Sequence, residues 1–368
     1  MQATTMNNTA QQSAQSAQSE PIRRMTGFAY FMTPSGWAFL VLAATALSIV
    51  AFRERSVGLI FDQEAYIQYF RSTDWHWLVQ FYQNRESDMG FLISLITEEL
   101  GWRSWVILLN AFGVSPEGGI RITVVLLNLV VMYSLLQTRR PLIGLVLWLV
   151  IPYALATVGL FQIRQGFGLA IAMLFALRFN KPTIGMGLAS FVHTTFAVPT
   201  AFLMTAGFIG EQRKARALVA VSVVAIVLAS AAKFLFATYG GRRIDEYSGY
   251  QENFTIKLLS LLLFYTMASV MVLYSTWRAQ DTQRQRAFTR LSIMHVGLFV
   301  YLVVAFFVFP FAKGRVWYCV PLLLPFLAPE IKFKNAMVLV ITFGVFVAVA
   351  ADATKSYFEG VYHYFLMP

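Results

Sequence analysis

Arg164 opens a strongly apolar stretch, the run FQIRQGFGLAIAMLFALRFNKPTIGMGLASFVH, which ends at His193. Arg178 and Lys181 follow the helical part of that run. At a rise of about 1.5 Å per residue, the two arginines stand about 21 Å apart, less than a bilayer core of about 30 Å. At least one guanidinium must therefore snorkel to the interface or face a polar cavity. An arginine at membrane depth costs about 2.5–3.5 kcal/mol on insertion scales, so chemistry competes with anchoring as the reason for Arg164. Gln165 stands beside it. His193, in the next apolar segment, reads either as a hydrogen-bonded core residue or as a general acid or base.

Three further stretches hold residues of complementary type: Asp62-Gln63-Glu64-Ala65-Tyr66 with the later Asp88, then Arg242-Arg243-Ile244-Asp245-Glu246-Tyr247, and Arg315-Val316-Trp317-Tyr318. Arg315 opens an apolar segment much as Arg164 does. Planar guanidinium forks pair bidentately with diphosphate oxygens, which makes Arg164, Arg242, Arg243 and Arg315 candidate anion ligands. Tyr66, Tyr247 and Tyr318 offer faces for stacking on sugars. Asp62, Asp88 or His193 could take the proton from an attacking hydroxyl. Asp62 and Tyr66 are four apart, which puts both on one helical face. Together these types suit an anionic, sugar-bearing lipid. No metal site is expected, because the four histidines lack ligand spacing and Asp62 with Glu64 alone makes a poor cage.

The chain that must position them has 368 residues, 58% apolar, 15% aromatic and 13% charged. A soluble domain of that size cannot hide so much apolar surface, so the fold class is all-α, a polytopic helical bundle in a membrane. The net charge of +11 sits in short loops rather than in a basic block, which argues against nucleic acid. The single cysteine, Cys319, excludes an intramolecular disulfide framework. Residues 1–26 read as a disordered cytoplasmic tail without the apolar core of a signal peptide, and 27–368 as one transmembrane domain. Within it, 53–119 mixes four tryptophans with acids and reads as amphipathic helices on the outer face, the tryptophans forming an interface belt.

A first span is expected at 36–52, and apolar runs follow near 120–138, 141–160, 164–179, 183–210, 217–238, 254–277, 291–310, 316–329 and 335–352, about ten spans or part-spans in all. Small residues four apart, Gly166/Ala170 and Gly168/Ala172, predict a close helix neighbour. The 183–210 run reads as two short segments that turn back, because Lys181 and the loop EQRKAR (211–216) then share one face. Basic loops then cluster in the cytoplasm, with the N-terminus inside and the candidate residues outside.

The run IRQGFGLAIAMLFALRF followed by FVHTTFAVP resembles the EpsG/Wzy-type family of O-antigen and exopolysaccharide polymerases, in which an Arg-Gln pair opens a span and a His follows in the next apolar segment. DQEAY (62–66), DMGF (88–91), RRIDEY (242–247) and RVWY (315–318) resemble its sparser landmarks, in the same order. The resemblance implies a polymerase at the periplasmic face of a bacterial inner membrane, moving a growing glycan from undecaprenyl diphosphate onto another lipid-linked repeat unit. Its partners would be that lipid-linked oligosaccharide, the bilayer, a chain-length regulator and a flippase, with no cofactor. The chain contains no Asp-x-Asp motif, in keeping with a lipid-linked rather than a nucleotide-sugar donor. An O-antigen ligase-like transferase using the same donor is the nearest alternative, and a transporter or flippase of lipid-linked saccharide the next.

Overall fold

The computed structural model describes Gly36 and residues 63–83, 94–210, 213–239, 255–277, 282–308, 316–332 and 336–358. The chain divides into two compact units, Met1–Thr45 and Ala46–Pro368, and all the elements below belong to the second. The tail expected at 1–26 and nearly all of the first expected span lie outside the described residues.

Every described element is helical, in the order α1 (Gln63–Ser72), α2 (Trp75–Gln83), α3 (Leu100–Ala111), α4 (Pro116–Leu136), α5 (Pro141–Val150), a π-helical segment (Tyr153–Gly159), α6 (Ile163–Arg178), α7 (Pro182–Val192), α8 (Ala197–Ile209), α9 (Lys214–Tyr239), α10 (Ile256–Thr276), α11 (Gln283–Val308), α12 (Cys319–Leu327) and α13 (Ala336–Phe358). The expected apolar runs beyond residue 119 each hold a helix. Capping follows local chemistry: Ser115 accepts from Gly118 N–H ahead of Pro116 at the start of α4, and Thr255 accepts from Leu258 N–H to open α10. Asn180, at φ 57°, takes the left-handed conformation that ends α6.

Among the described residues, five helices are long and apolar enough to cross a membrane: α4, α10, α11 and most of α9 and α13. A sixth crossing results if α5 and the π-helical segment, bent by 66° after Ile151 and Pro152, count as one. The bend is held by Asn128, buried in α4, whose Nδ2 donates to Gly159 O at 3.0 Å while its Oδ1 accepts from Trp148 Nε1 at 3.3 Å.

The 182–209 region turns back on itself. Ten residues of continuous helix would separate Ser190 from Thr200 by about 15 Å, yet their hydroxyls are 2.9 Å apart. α7 and α8 are thus the two arms of a hairpin with its tip at His193. α6 packs against α7 through glycine: a Cβ on Gly185 would stand 2.6 Å from Phe175 Cβ and 2.7 Å from Ala172 O, and one on Gly168 would stand 2.6 Å from the Phe196 ring. The predicted small-residue seam is where the close approach occurs.

The tryptophans correct one expectation. Trp102, expected in an interface belt, is fully buried, its ring 5.9 Å from that of Tyr66 and 6.4 Å from that of Phe70. Trp105 donates to Thr123 Oγ1 in α4 at 2.8 Å. Both join α3 to its neighbours, whereas Trp75 is 64% exposed.

Candidate functional site

α1 buries Tyr66, Ile67 and Phe70 on one face and exposes Glu64, Gln68 and Arg71 on the other. Asn110 of α3 donates to Phe70 O at 2.8 Å and Thr73 O at 3.0 Å, which fixes the end of α1 against α3. α3 begins where Glu99 adopts φ 54°, ψ 50°, a left-handed conformation that costs a residue with a Cβ about 1–2 kcal/mol. The turn sends two consecutive acids in opposite directions. The Glu98 side chain is 48% exposed and pairs with Arg103 at 3.0 Å, whereas that of Glu99 is 2% exposed and points inward. Gly101 then lets α3 abut the end of α7, since a Cβ there would stand 3.0 Å from the Phe191 carbonyl. That contact brings Glu99 to the tip of the hairpin.

Arg164, in the first turn of α6, meets Glu99 there. Its Nη1 donates to Glu99 Oε2 and to Tyr69 Oη, the latter at 3.1 Å, and its side chain is 11% exposed. Of the two sequence options, a polar interior rather than snorkelling satisfies this guanidinium; Arg178, by contrast, is exposed and donates to Tyr133 Oη at 3.1 Å. Arg164 and Arg103 also share one aromatic ring: their Cζ atoms lie 4.9 Å and 5.0 Å from the Tyr69 centroid, and Arg103 lies 4.0 Å from Trp77. Tyr66 completes the surround, 5.6 Å from Arg164.

His193 Nδ1 stands 3.9 Å from Glu99 Oε1 and accepts from Thr195 N–H at 3.2 Å. An accepting Nδ1 carries no proton, so the neutral ring bears its hydrogen on Nε2. His193 thus caps the turn at the hairpin tip and presents a donor. Gln165 is fully buried. Buried near the cluster in sequence, Gln162 Oε1, Trp102 Nε1 and Arg164 Nε find no hydrogen-bond partner among the described residues. Polar atoms left this way in a low-dielectric interior are suited to a ligand that supplies the missing bonds.

The sequence model of the EpsG family matches residues 36–366. The chain belongs to the EpsG family. No curated protein and no solved structure matches it. The family suggests polysaccharide biosynthesis by a membrane polymerase, and the helices described above agree with a multi-pass membrane protein.

For this EpsG family member, the structure gathers Tyr66, Arg164 and His193 from the candidates read in the sequence, while Gln165 is buried beside Arg164 in the chain. Tyr318 packs in an aromatic group with Tyr153 and Trp317, at ring distances of 5.5 Å and 4.1 Å. Asp62, Asp88, Arg242, Arg243, Tyr247 and Arg315 lie outside the described residues. Sequence reasoning missed Glu99, Arg103 and Tyr69. Tyr69 had a signal, since it follows Tyr66 at the i+3 spacing that shares a helix face. Among the described residues no three His, Cys, Asp or Glu side chains gather to hold a metal.

Proposed function

We propose that this protein polymerises a bacterial surface polysaccharide, transferring a growing glycan from undecaprenyl diphosphate onto another undecaprenyl-diphosphate-linked repeat unit at the periplasmic face of the inner membrane. The observation that carries the proposal is the buried Arg164, held by Glu99 and Tyr69 and sharing the Tyr69 ring with Arg103. In the reaction, an acceptor hydroxyl oxygen attacks the anomeric carbon of the donor. The bond from that carbon to the diphosphate breaks, and the diphosphate leaves with the electron pair. Arg164 and Arg103, joined by Arg315 and one of Arg242 or Arg243, stabilise the charge that develops on it. Fixed guanidiniums in a dry interior do this without reorganising during the step. Asp62 or Asp88 receives the hydroxyl proton. Glu99 orients Arg164, and His193 donates from Nε2 to the departing oxygen. Tyr66, Tyr247 and Tyr318 contact sugar, and Gln165 contributes a buried amide to the same ligand.

The test is the glycan-length profile of a deletion strain complemented at matched protein levels. Arg164→Ala and Arg164→Lys are expected to leave single lipid-linked repeats, because a lysine cannot reproduce the fork. Arg178→Ala is expected to restore full-length polymer. Wild-type polymer from Arg164→Ala would remove Arg164 from the site. Long lipid-linked chains that fail to reach their final acceptor would favour the ligase reading instead.

A further inference from the structure

The consecutive acids Glu98 and Glu99 hold the arginines of the cluster in two different ways. Glu99 and Arg164 are buried together, so opening that pair would strand a charge in the interior. The Glu98 side chain is half exposed, and an ion pair of that kind is weak and exchanges readily. Arg103 does not depend on the Glu98 carboxylate for its orientation. Its Nε donates to the Glu98 backbone carbonyl at 3.1 Å, and its Nη1 donates to Thr73 Oγ1 at 3.2 Å, Thr73 being fully buried. Its Cζ lies 4.0 Å from the Trp77 ring centroid, and Trp77 stacks on Phe81 at 5.3 Å within α2. Asp74 fixes the start of α2 by accepting from Trp77 N–H at 2.8 Å. The remaining contact is the movable one: Nη2 donates to Glu98 Oε2 at 3.0 Å. With the carboxylate swung into solvent, Nη2 opens to another anionic oxygen while the fork stays oriented. Carboxylate and phosphate oxygens make the same charge-assisted bond to a guanidinium, so one can stand in for the other.

We propose that Glu98 is an exchangeable placeholder on Arg103, displaced when the lipid diphosphate binds and returning to Arg103 when the diphosphate leaves. This rests on the glycan-transfer reading above, which sets Arg103 at the diphosphate. Glu98 acts through Arg103 and is a positioning residue that sets affinity for substrate and leaving group. Its test is the dissociation constant of undecaprenyl diphosphate, measured by native mass spectrometry of the full chain in detergent, for wild type, Glu98→Gln, Arg103→Gln and the double variant. Glu98→Gln is expected to tighten binding about threefold, the fold-change that goes with losing one exposed ion pair. A merely structural contact would give no such gain. Arg103→Gln is expected to weaken binding about tenfold, as loss of a charged hydrogen bond does. In the Arg103→Gln background, Glu98→Gln is expected to change nothing, because the carboxylate has no guanidinium to occupy. Tightening that persists without Arg103 would make Glu98 only a nearby repulsive charge and would overturn the exchange. Unchanged or weaker binding by Glu98→Gln would also overturn it, and this half-exposed position gives a folded variant that decides the matter by itself. In both cases weakened binding by Arg103→Gln would leave the glycan-transfer reading in place. Wild-type affinity in Arg103→Gln would instead remove Arg103 from the diphosphate site, and the exchange with it.

Discussion

Arg164 and Glu99 stand 65 positions apart and are buried as one neutral unit, so neither is intelligible alone. Removing one partner strands the other charge, a loss of about 3–5 kcal/mol in measured buried pairs. Glu99→Gln is accordingly expected to lower the unfolding free energy of the purified protein by about 3 kcal/mol. Combining Glu99→Leu with Arg164→Met is expected to cost less than the sum of the two single changes. Strictly additive losses in that double-mutant cycle would show that the pair does not act as a pair. The arginine was legible because its charge is anomalous in an apolar run. The glutamate was not, since Glu98 and Glu99 are the same residue type in a stretch where acids are ordinary. Only the left-handed turn at Glu99, a conformation Glu rarely adopts, separates an exposed acid from a buried one. His193 was legible as a position but not as a chemical state, because its tautomer follows from a contact with Thr195 N–H.

At the scale of elements, the α6–α7 seam makes a sharp prediction through two glycines two residues apart. Gly185→Ala would place its methyl 2.6 Å from Phe175 Cβ and 2.7 Å from the Ala172 carbonyl, so overpacking of about 1–3 kcal/mol is expected. Gly187→Ala meets its nearest neighbour, Thr200 Cγ2, only at 4.0 Å and is expected to be neutral or slightly stabilising. Thermal unfolding of the two variants side by side checks both, and similar midpoints would mean that α6 and α7 are not so closely apposed. Helices and their seam were readable because hydropathy, spacing and small residues all pointed one way. The tryptophans were not. Their rings suit a membrane interface and a protein core equally, and Trp102 is decided by Tyr66 and Phe70 from α1. The bend at the end of α5 likewise depends on Asn128, twenty residues before Trp148, which no local pattern reveals.

Across the whole second unit, α4 serves as a ruler, its 21 residues measuring about 31 Å, the depth of a bilayer core. Near its first turns Gly119 packs against Phe70 of α1, on the side of the arginine cluster. Beyond its last turn Arg139 N–H donates to Glu330 Oε1 at 2.6 Å, and Arg284 pairs with the same oxygen. The basic residues Arg139 and Arg284 thus meet at the other end of α4, while the direction of that end in the cell belongs to the proposal. In a Cys319→Ser background, a membrane-impermeant maleimide is expected to label Phe112→Cys in intact spheroplasts and Gln137→Cys only after permeabilisation. The reverse pattern would invert the orientation and move the arginine cluster to the cytoplasm. The hairpin at His193 bears on how the protein is made. With 11 residues in α7 and 13 in α8, neither arm is long enough to be recognised as a crossing by its own hydrophobicity. During synthesis both arms have to leave the translocon together and be retained by α6, so this stretch joins the bilayer as an assembled piece, and its glycines govern biogenesis before they govern stability.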